Sequence, residues 1–192
     1  MNAYPWEPDT MSQPASTTSM RSILRNGALL LAVGIVIYAI VKLAVPYDYP
    51  MLGQAAPKIT LASLEGAPLP VGDELGNKVV VLNFWATWCP PCREELPEFS
   101  KLATQFPGQP VAFYSVATDQ EKDLIASVVN ETTPKPPVAF DAGMAAAEAF
   151  QVRMLPTTVV IDKKGTIRHA HIGFTPSTIE AMRNEINALM AE

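Results

Sequence analysis

The sequence predicts an α/β sandwich, with helices flanking one mixed β-sheet. Three observations lead there. Val79 to Trp85, VVVLNFW, is a nearly continuous apolar run of strand length, as expected of a strand buried on both faces. After it, segments of strand and helix periodicity alternate. The chain then closes with a hairpin signal and an amphipathic stretch.

The elements follow in order. Met1 to Ser19 is rich in Pro, Ser, Thr and acidic residues and has no Lys or Arg, so residues 1–25 read as a disordered tail. Gly27 to Val41 is an unbroken run of small and apolar residues, and Leu43 to Val45 extends it past Lys42. That length approaches the ~20 residues of a bilayer span. Residues 26–46 are therefore expected to be a transmembrane anchor, with Lys42 snorkelling and Tyr47 and Tyr49 at the interface. Arg21 and Arg25 precede the run, which keeps the tail cytoplasmic and exports everything after it. A cleaved signal peptide is the competing reading. Against it, Leu43-Ala44-Val45-Pro46 sets a proline beside the candidate cleavage bond. Residues 47–57 read as a linker, being Pro, Gly, Tyr and Ala without period.

The globular domain is expected over 58–192. Ile59, Leu61 and Leu64, a Gly66 turn, then Leu69 and Val71 suggest an N-terminal β-hairpin. After the Val79–Trp85 strand, Leu96, Phe99, Leu102, Ala103 and Phe106 share one helical stripe that ends at Pro107-Gly108. Val111 to Val116 is a second buried strand. Thr118-x-x-Glu121 has the form of a capping box opening a helix with Leu124, Ile125, Val128 and Val129 inward. ETTPKPP is a loop. A short strand near Val138–Phe140 and a helix from Gly143 to Phe150 follow. Thr158 to Ile161 and Thr166 to Ile172 form a hairpin around Lys163-Lys164-Gly165. Ile179, Met182, Ile186 and Leu189 mark a last amphipathic helix.

Composition bounds the function. The net charge of −5 argues against nucleic acid, which calls for a concentrated basic face. The chain has two cysteines, Cys89 and Cys92, both in NFWATWCPPCREELP. Cys89 follows a buried strand and Cys92 falls in the first turn of the next helix. There, unpaired N–H groups and the helix dipole stabilise a thiolate, the reactive form in disulfide exchange. Two intervening residues let Cys92 resolve a mixed disulfide on Cys89. A metal centre is not expected, nor any cofactor. Tetrahedral zinc wants four ligands, and His169 and His171 read as ordinary histidines of a distant strand. Met144 and Met154 read as core fillers.

FWATWCPPC, Pro97 in the following helix and MLPTTVVIDKKGTI together resemble the thioredoxin superfamily over roughly Lys58 to Glu192. The similarity is closest to its membrane-anchored TlpA/ResA/CcmG-like thiol–disulfide oxidoreductases. The long stretch between Cys92 and Pro156 leaves room for the central insertion of that branch. The resemblance implies a thioredoxin-like sandwich. In it Cys89 is the exposed nucleophile, Cys92 the resolving thiol, and Pro156 a cis-proline facing them. It also implies substrate binding by the Leu155 backbone and by Trp88, a partly exposed residue beside the nucleophile. Pro97 matches the helix-kinking proline, and Glu95 an acidic position that tunes the cysteines. One departure stands out: thioredoxin has a buried Asp six residues before the first Cys, where this chain has Asn83. Glu95 is the substitute base to consider.

By the same resemblance, the clients are disulfide-bearing exported proteins: apocytochrome c or proteins of copper-site assembly in cytochrome oxidase. A membrane thiol transporter of the DsbD/CcdA kind would supply electrons. The location would be the bacterial inner membrane, single-pass, with the domain in the periplasm or at the cell exterior. A non-catalytic copper-binding or assembly chaperone of the same fold is the alternative. Peroxide reduction is set aside, because Leu82 and Ala86 occupy the Pro and Thr positions of the Pro-x-x-x-Thr-x-x-Cys arrangement. The direction of electron flow is read from Pro90 and Pro91. Both lack the backbone N–H that could point at the Cys89 sulfur, which predicts a less stabilised thiolate and hence a reductant.

Overall fold

The computed structural model describes residues 20–44, 49–119 and 121–192. The expectations for residues 1–19, for Pro46 and for Tyr47 lie outside them. Two compact units divide the chain, residues 1–48 and 49–192. The first contains helix α1, Met20–Ala44, whose described side chains include exposed Leu29, Leu30, Leu31 and Ile35. Among the described residues no helix is long and apolar enough to cross a membrane. Of the anchor expected over 26–46, residues 26–44 are helical, and its placement in a bilayer rests on the sequence.

In the second unit, β1 (Leu61–Ala62) and β2 (Pro68–Leu69) form the expected N-terminal hairpin. Val71, read as part of that hairpin, instead begins the short helix α2 (Val71–Glu74) and is fully buried. Then come β3 (Val79–Trp85), α3 (Pro90–Ala103), β4 (Val111–Ala117), α4 (Lys122–Glu131), β5 (Val138–Phe140), α5 (Ala145–Ala149), β6 (Thr157–Ile161), β7 (Ile167–Ile172) and α6 (Pro176–Ala191). The sheet order is β2-β1-β5-β4-β3-β6-β7. β3, β4 and β5 are parallel, and β6 runs antiparallel to β3. This is the predicted thioredoxin-like mixed sheet with flanking helices.

Alternation along β3 explains the layering. Val80, Leu82 and Phe84 pack on one face with Phe150, Ala146 and Ala147 around α5. Val79 and Val81 pack on the other with Phe99 and Leu102 of α3 and Met182 and Ile186 of α6. Every residue of β3 is buried, as its unbroken apolar run required. At the β6–β7 turn, Gly165 takes φ 80° and Asp162 Oδ1 accepts from the N–H groups of Lys164 and Thr166, each at 2.9 Å.

Three expectations are corrected. Residues 49–57 are not a free linker: Tyr49 and Met51 are buried in the core, Tyr49 donates its hydroxyl to the Phe150 carbonyl, and Ala55 bridges to Thr166. Their apolar side chains, not a secondary-structure period, carry that signal. The Thr118–Glu121 capping box does not form, because Thr118 Oγ1 donates to the Trp85 carbonyl at 3.1 Å and Glu121 is the N-cap of α4 without a side-chain bond. Leu124 points outward at half exposure while Ile125 and Val129 face the core.

Candidate active site

The C-terminal ends of the parallel strands β3, β4 and β5 lie along one edge of the sheet, as does the N-terminal end of antiparallel β6. Cys89, just beyond β3, is the N-cap of α3 with extended backbone (φ −95°, ψ 106°), and Pro90 and Pro91 fill the first helical positions. Proline suits that place, since its missing N–H has no intrahelical partner there anyway. Cys89 and Cys92 are joined in a disulfide with Cα atoms 5.3 Å apart, so the structure is the oxidised form. Cys89 was expected to be exposed, but it is 4% exposed against 1% for Cys92. The disulfide ties its sulfur down beside Ala86, Leu96 and Trp85. Trp88, next to it, is 73% exposed and stands clear of the core.

The loop before Cys89 is held from the neighbouring strand. The Thr87 N–H donates to Asp119 Oδ2 at 2.9 Å, and Thr87 Oγ1 donates to Asp119 Oδ1 at 2.6 Å. Asp119 itself is buried. Its role was not foreseen. The available signal was position: a polar pair, Thr118-Asp119, directly after the strand parallel to the one leading into the cysteines.

The Leu155–Pro156 bond is cis, as the resemblance implied. Leu155 packs against the cluster that contains both cysteines. Pro97 sits inside α3, two residues beyond Glu95.

Glu95 is the most unusual group. It lies three residues after Cys92, on the same face of α3, and is 1% exposed. Asn83 Nδ2 donates to Glu95 Oε2 at 2.8 Å and to Thr158 Oγ1 at 2.8 Å, and Thr158 Oγ1 donates to Glu95 Oε1 at 3.3 Å. Burial pushes the Glu95 carboxyl up to about 7, against the hydrogen bonds of Asn83 and Thr158 and the charge of His171, which pull it down. A carboxyl poised near neutrality, beside a dithiol, can hold or release a proton as the cysteines react. Asn83, noted as a departure from the thioredoxin pattern, and Glu95, its suggested substitute, are thus in direct contact. Thr158 completes the set; sequence reasoning saw it only as a strand residue.

Two readings are corrected here. His169 and His171 are not on a distant strand: β7 pairs with β6, and His171 lies opposite Thr158. Met144 and Met154 are not core fillers, being 41% and 50% exposed. Met144 follows Gly143 in a left-handed turn that rotates it out of the α5 face. Among the described residues no three His, Cys, Asp or Glu side chains are grouped so as to hold a metal ion.

Comparison with known proteins agrees with this geometry. The AhpC/TSA family model matches residues 52–170. The thiol-disulfide oxidoreductase ResA of Bacillus thuringiensis is 34% identical over 64% of this chain and 70% of its own. The thioredoxin-like protein YneN of Bacillus subtilis is 33% identical over 63% of this chain and 71% of its own. A secreted Mycobacterium tuberculosis disulfide oxidoreductase, described as homologous to E. coli DsbE, superposes with a TM-score of 0.58 at 25% identity, covering 69% of this chain and 96% of that structure.

Proposed function

We propose, for a chain that belongs to the AhpC/TSA family and is a thiol–disulfide oxidoreductase of the ResA/DsbE type, that it works as a reductant of disulfides in exported proteins. The observation that carries the reading is the Cys89–Cys92 pair at a helix start lacking two N–H donors, with the buried Glu95 carboxyl on the same helix face.

In the reduced protein, the Cys89 thiolate attacks a client disulfide and releases one client sulfur as thiolate. Cys92 gives its proton to Glu95 and attacks the Cys89 sulfur. The second client thiolate leaves and the Cys89–Cys92 disulfide forms, with two electrons delivered to the client. Glu95 near neutrality suits that proton transfer, since a thiol ordinarily titrates at about 8.5. A dithiol donor of the DsbD/CcdA kind restores the reduced form.

Residues 26–46 anchor the domain in the bacterial inner membrane, supported by the apolar run behind Arg21 and Arg25. The related mycobacterial protein is described as secreted, which accords with export. The clients are disulfides of apocytochrome c or of copper-site assembly proteins, which it returns to thiols. Trapping tests the reading: a Cys92→Ala variant, expressed in the native host, should accumulate mixed disulfides through Cys89 with exported dithiol proteins. Adducts with cytoplasmic proteins alone would contradict it. A reporter that works only outside the cytoplasm, fused after Glu192, should be active.

A further inference from the structure

Trp85, the last residue of β3, is fully buried, and its indole Nε1–H has no hydrogen-bond partner among the described residues. An indole nitrogen can only donate, and a buried one ordinarily finds an acceptor. The backbone that carries it is fixed: the Trp85 carbonyl accepts from the Thr118 N–H at 3.0 Å and from Thr118 Oγ1 at 3.1 Å. The indole lies in the buried cluster that holds Cys89 and Cys92, among Ala86, Leu96 and Ala117, whose side chains accept nothing. The buried carboxyls on either side are engaged elsewhere, Asp119 with Thr87 and Glu95 with Asn83 and Thr158. Asn83 Oδ1, two residues back on the same face of β3, and Ser115 Oγ, its partner in register on β4, are themselves without partners, so neither takes the indole proton. Within the cluster the two sulfurs remain as acceptors.

In the disulfide both sulfurs are uncharged and accept weakly. Reduction changes that. Two electrons from a dithiol donor and one proton break the S–S bond, leaving a thiolate on Cys89 and a thiol on Cys92. Cys92 keeps its proton until the resolving step, so the new charge sits on Cys89. Cys89 is 4% exposed, and a buried charge is costly unless a donor meets it. Pro90 and Pro91 have no N–H, which leaves the Cys92 N–H as the peptide donor in the first turn of α3. We propose that Trp85 is a catalytic residue: its indole N–H, idle in the oxidised protein, donates to the Cys89 thiolate once the disulfide is reduced. A donor kept without a partner in one redox state is thereby matched to a charge that exists in the other. The inference rests on Cys89 being the attacking sulfur.

Two readouts on the full-length protein test it. The first is the indole N–H resonance of Trp85 in isotope-labelled protein, identified as the signal that survives both Trp6→Phe and Trp88→Phe. In the reduced protein it should shift with pH at the midpoint of the ultraviolet thiolate absorbance. The shift should persist in Cys92→Ser and vanish in Cys89→Ser. The second is the Cys89 midpoint itself. Trp85→Phe keeps an aromatic ring and removes the N–H, and should raise that midpoint by about one unit, roughly a tenfold loss of thiolate at a pH below it. A folded Trp85→Phe protein with an unmoved midpoint would overturn the proposal. So would an indole signal that titrates unchanged in Cys89→Ser, or one that shows a bound water as its partner in the reduced state. Should Trp85→Phe fail to fold, the indole titration in wild type and Cys89→Ser decides alone. Faster alkylation of Cys92 than of Cys89 would remove the premise and overturn both readings, whereas a Cys89 nucleophile beside a silent indole overturns this one only.

Discussion

Asn83 and Glu95, twelve residues apart, meet at 2.8 Å, the amide of one donating to the carboxylate of the other, one helical turn beyond Cys92. An uncharged donor thus faces the buried acid. An Asp in place of Asn83 would set two carboxylates against each other in a dry site, where both cannot ionise. Asn83→Asp should therefore cost stability at neutral pH, by about 2 kcal/mol, and less near pH 5, where one of the pair is protonated. Denaturant unfolding of the oxidised protein at the two pH values checks this. Equal loss at both would show that the Asn83–Glu95 contact is not electrostatic.

Glu95 also makes stability depend on pH. Its folded pKa is raised from an ordinary 4.5 to about 7 by burial. The native state then binds more protons than the unfolded chain between those values, so stability falls as pH rises through that window. The contribution is fully present below about 4.5 and lost above about 7, a change of ~3 kcal/mol. Glu95→Gln should flatten this part of the curve, which a series of urea titrations from acid to neutral pH will read. An unchanged slope would place the titrating group elsewhere.

Asp119→Ala should loosen the loop that carries Trp88 and Cys89. It leaves the Thr87 N–H and hydroxyl without their acceptor, at a cost of about 1–3 kcal/mol. Reduced protein should also react more slowly with disulfides, because the approach to α3 is no longer fixed. Unfolding curves and stopped-flow exchange measure the two effects. Stability loss with unaltered exchange would limit Asp119 to a structural role.

Much of this was legible in the sequence where hydrophobic period and punctuation agree. β3 announced itself as an apolar run, and Ile179, Met182, Ile186 and Leu189 fall inward on α6 as their spacing required. Pro156 and the cysteines were placed by motif. What escaped were contacts between residues remote in sequence. Glu95 looks like any polar helix residue until α3 lies on Thr158, 63 residues later. Asp119 becomes significant only when β4 pairs beside β3. A helix opened at Thr118 turns Leu124 inward, yet α4 starts at Lys122 and its phase is set by Ile125 and Val129. Tyr49 reads as linker and interface in the sequence because a short segment without period is anchored by a single side chain, which periodicity does not detect.

The two cysteines should differ in role. Cys89→Ser should abolish reduction of insulin disulfides, whereas Cys92→Ser should leave an adduct on Cys89 that is not resolved. In the reduced wild-type protein an alkylating reagent should label Cys89 first, since it lies at the helix start and is the less buried of the two. Faster labelling of Cys92 would reverse the assignment.

Equilibration with glutathione redox buffers decides whether the protein donates electrons to disulfides. Pro90 and Pro91 withhold two N–H donors from the Cys89 sulfur, and a buried carboxyl near the pair does not favour a thiolate. Both weaken the reduced form and lower the potential. The expected value lies at or below the glutaredoxin range, about −200 mV, toward that of thioredoxin at about −270 mV. A value close to that of DsbA, about −120 mV, would show that the protein is an oxidant of disulfides and not a donor to them.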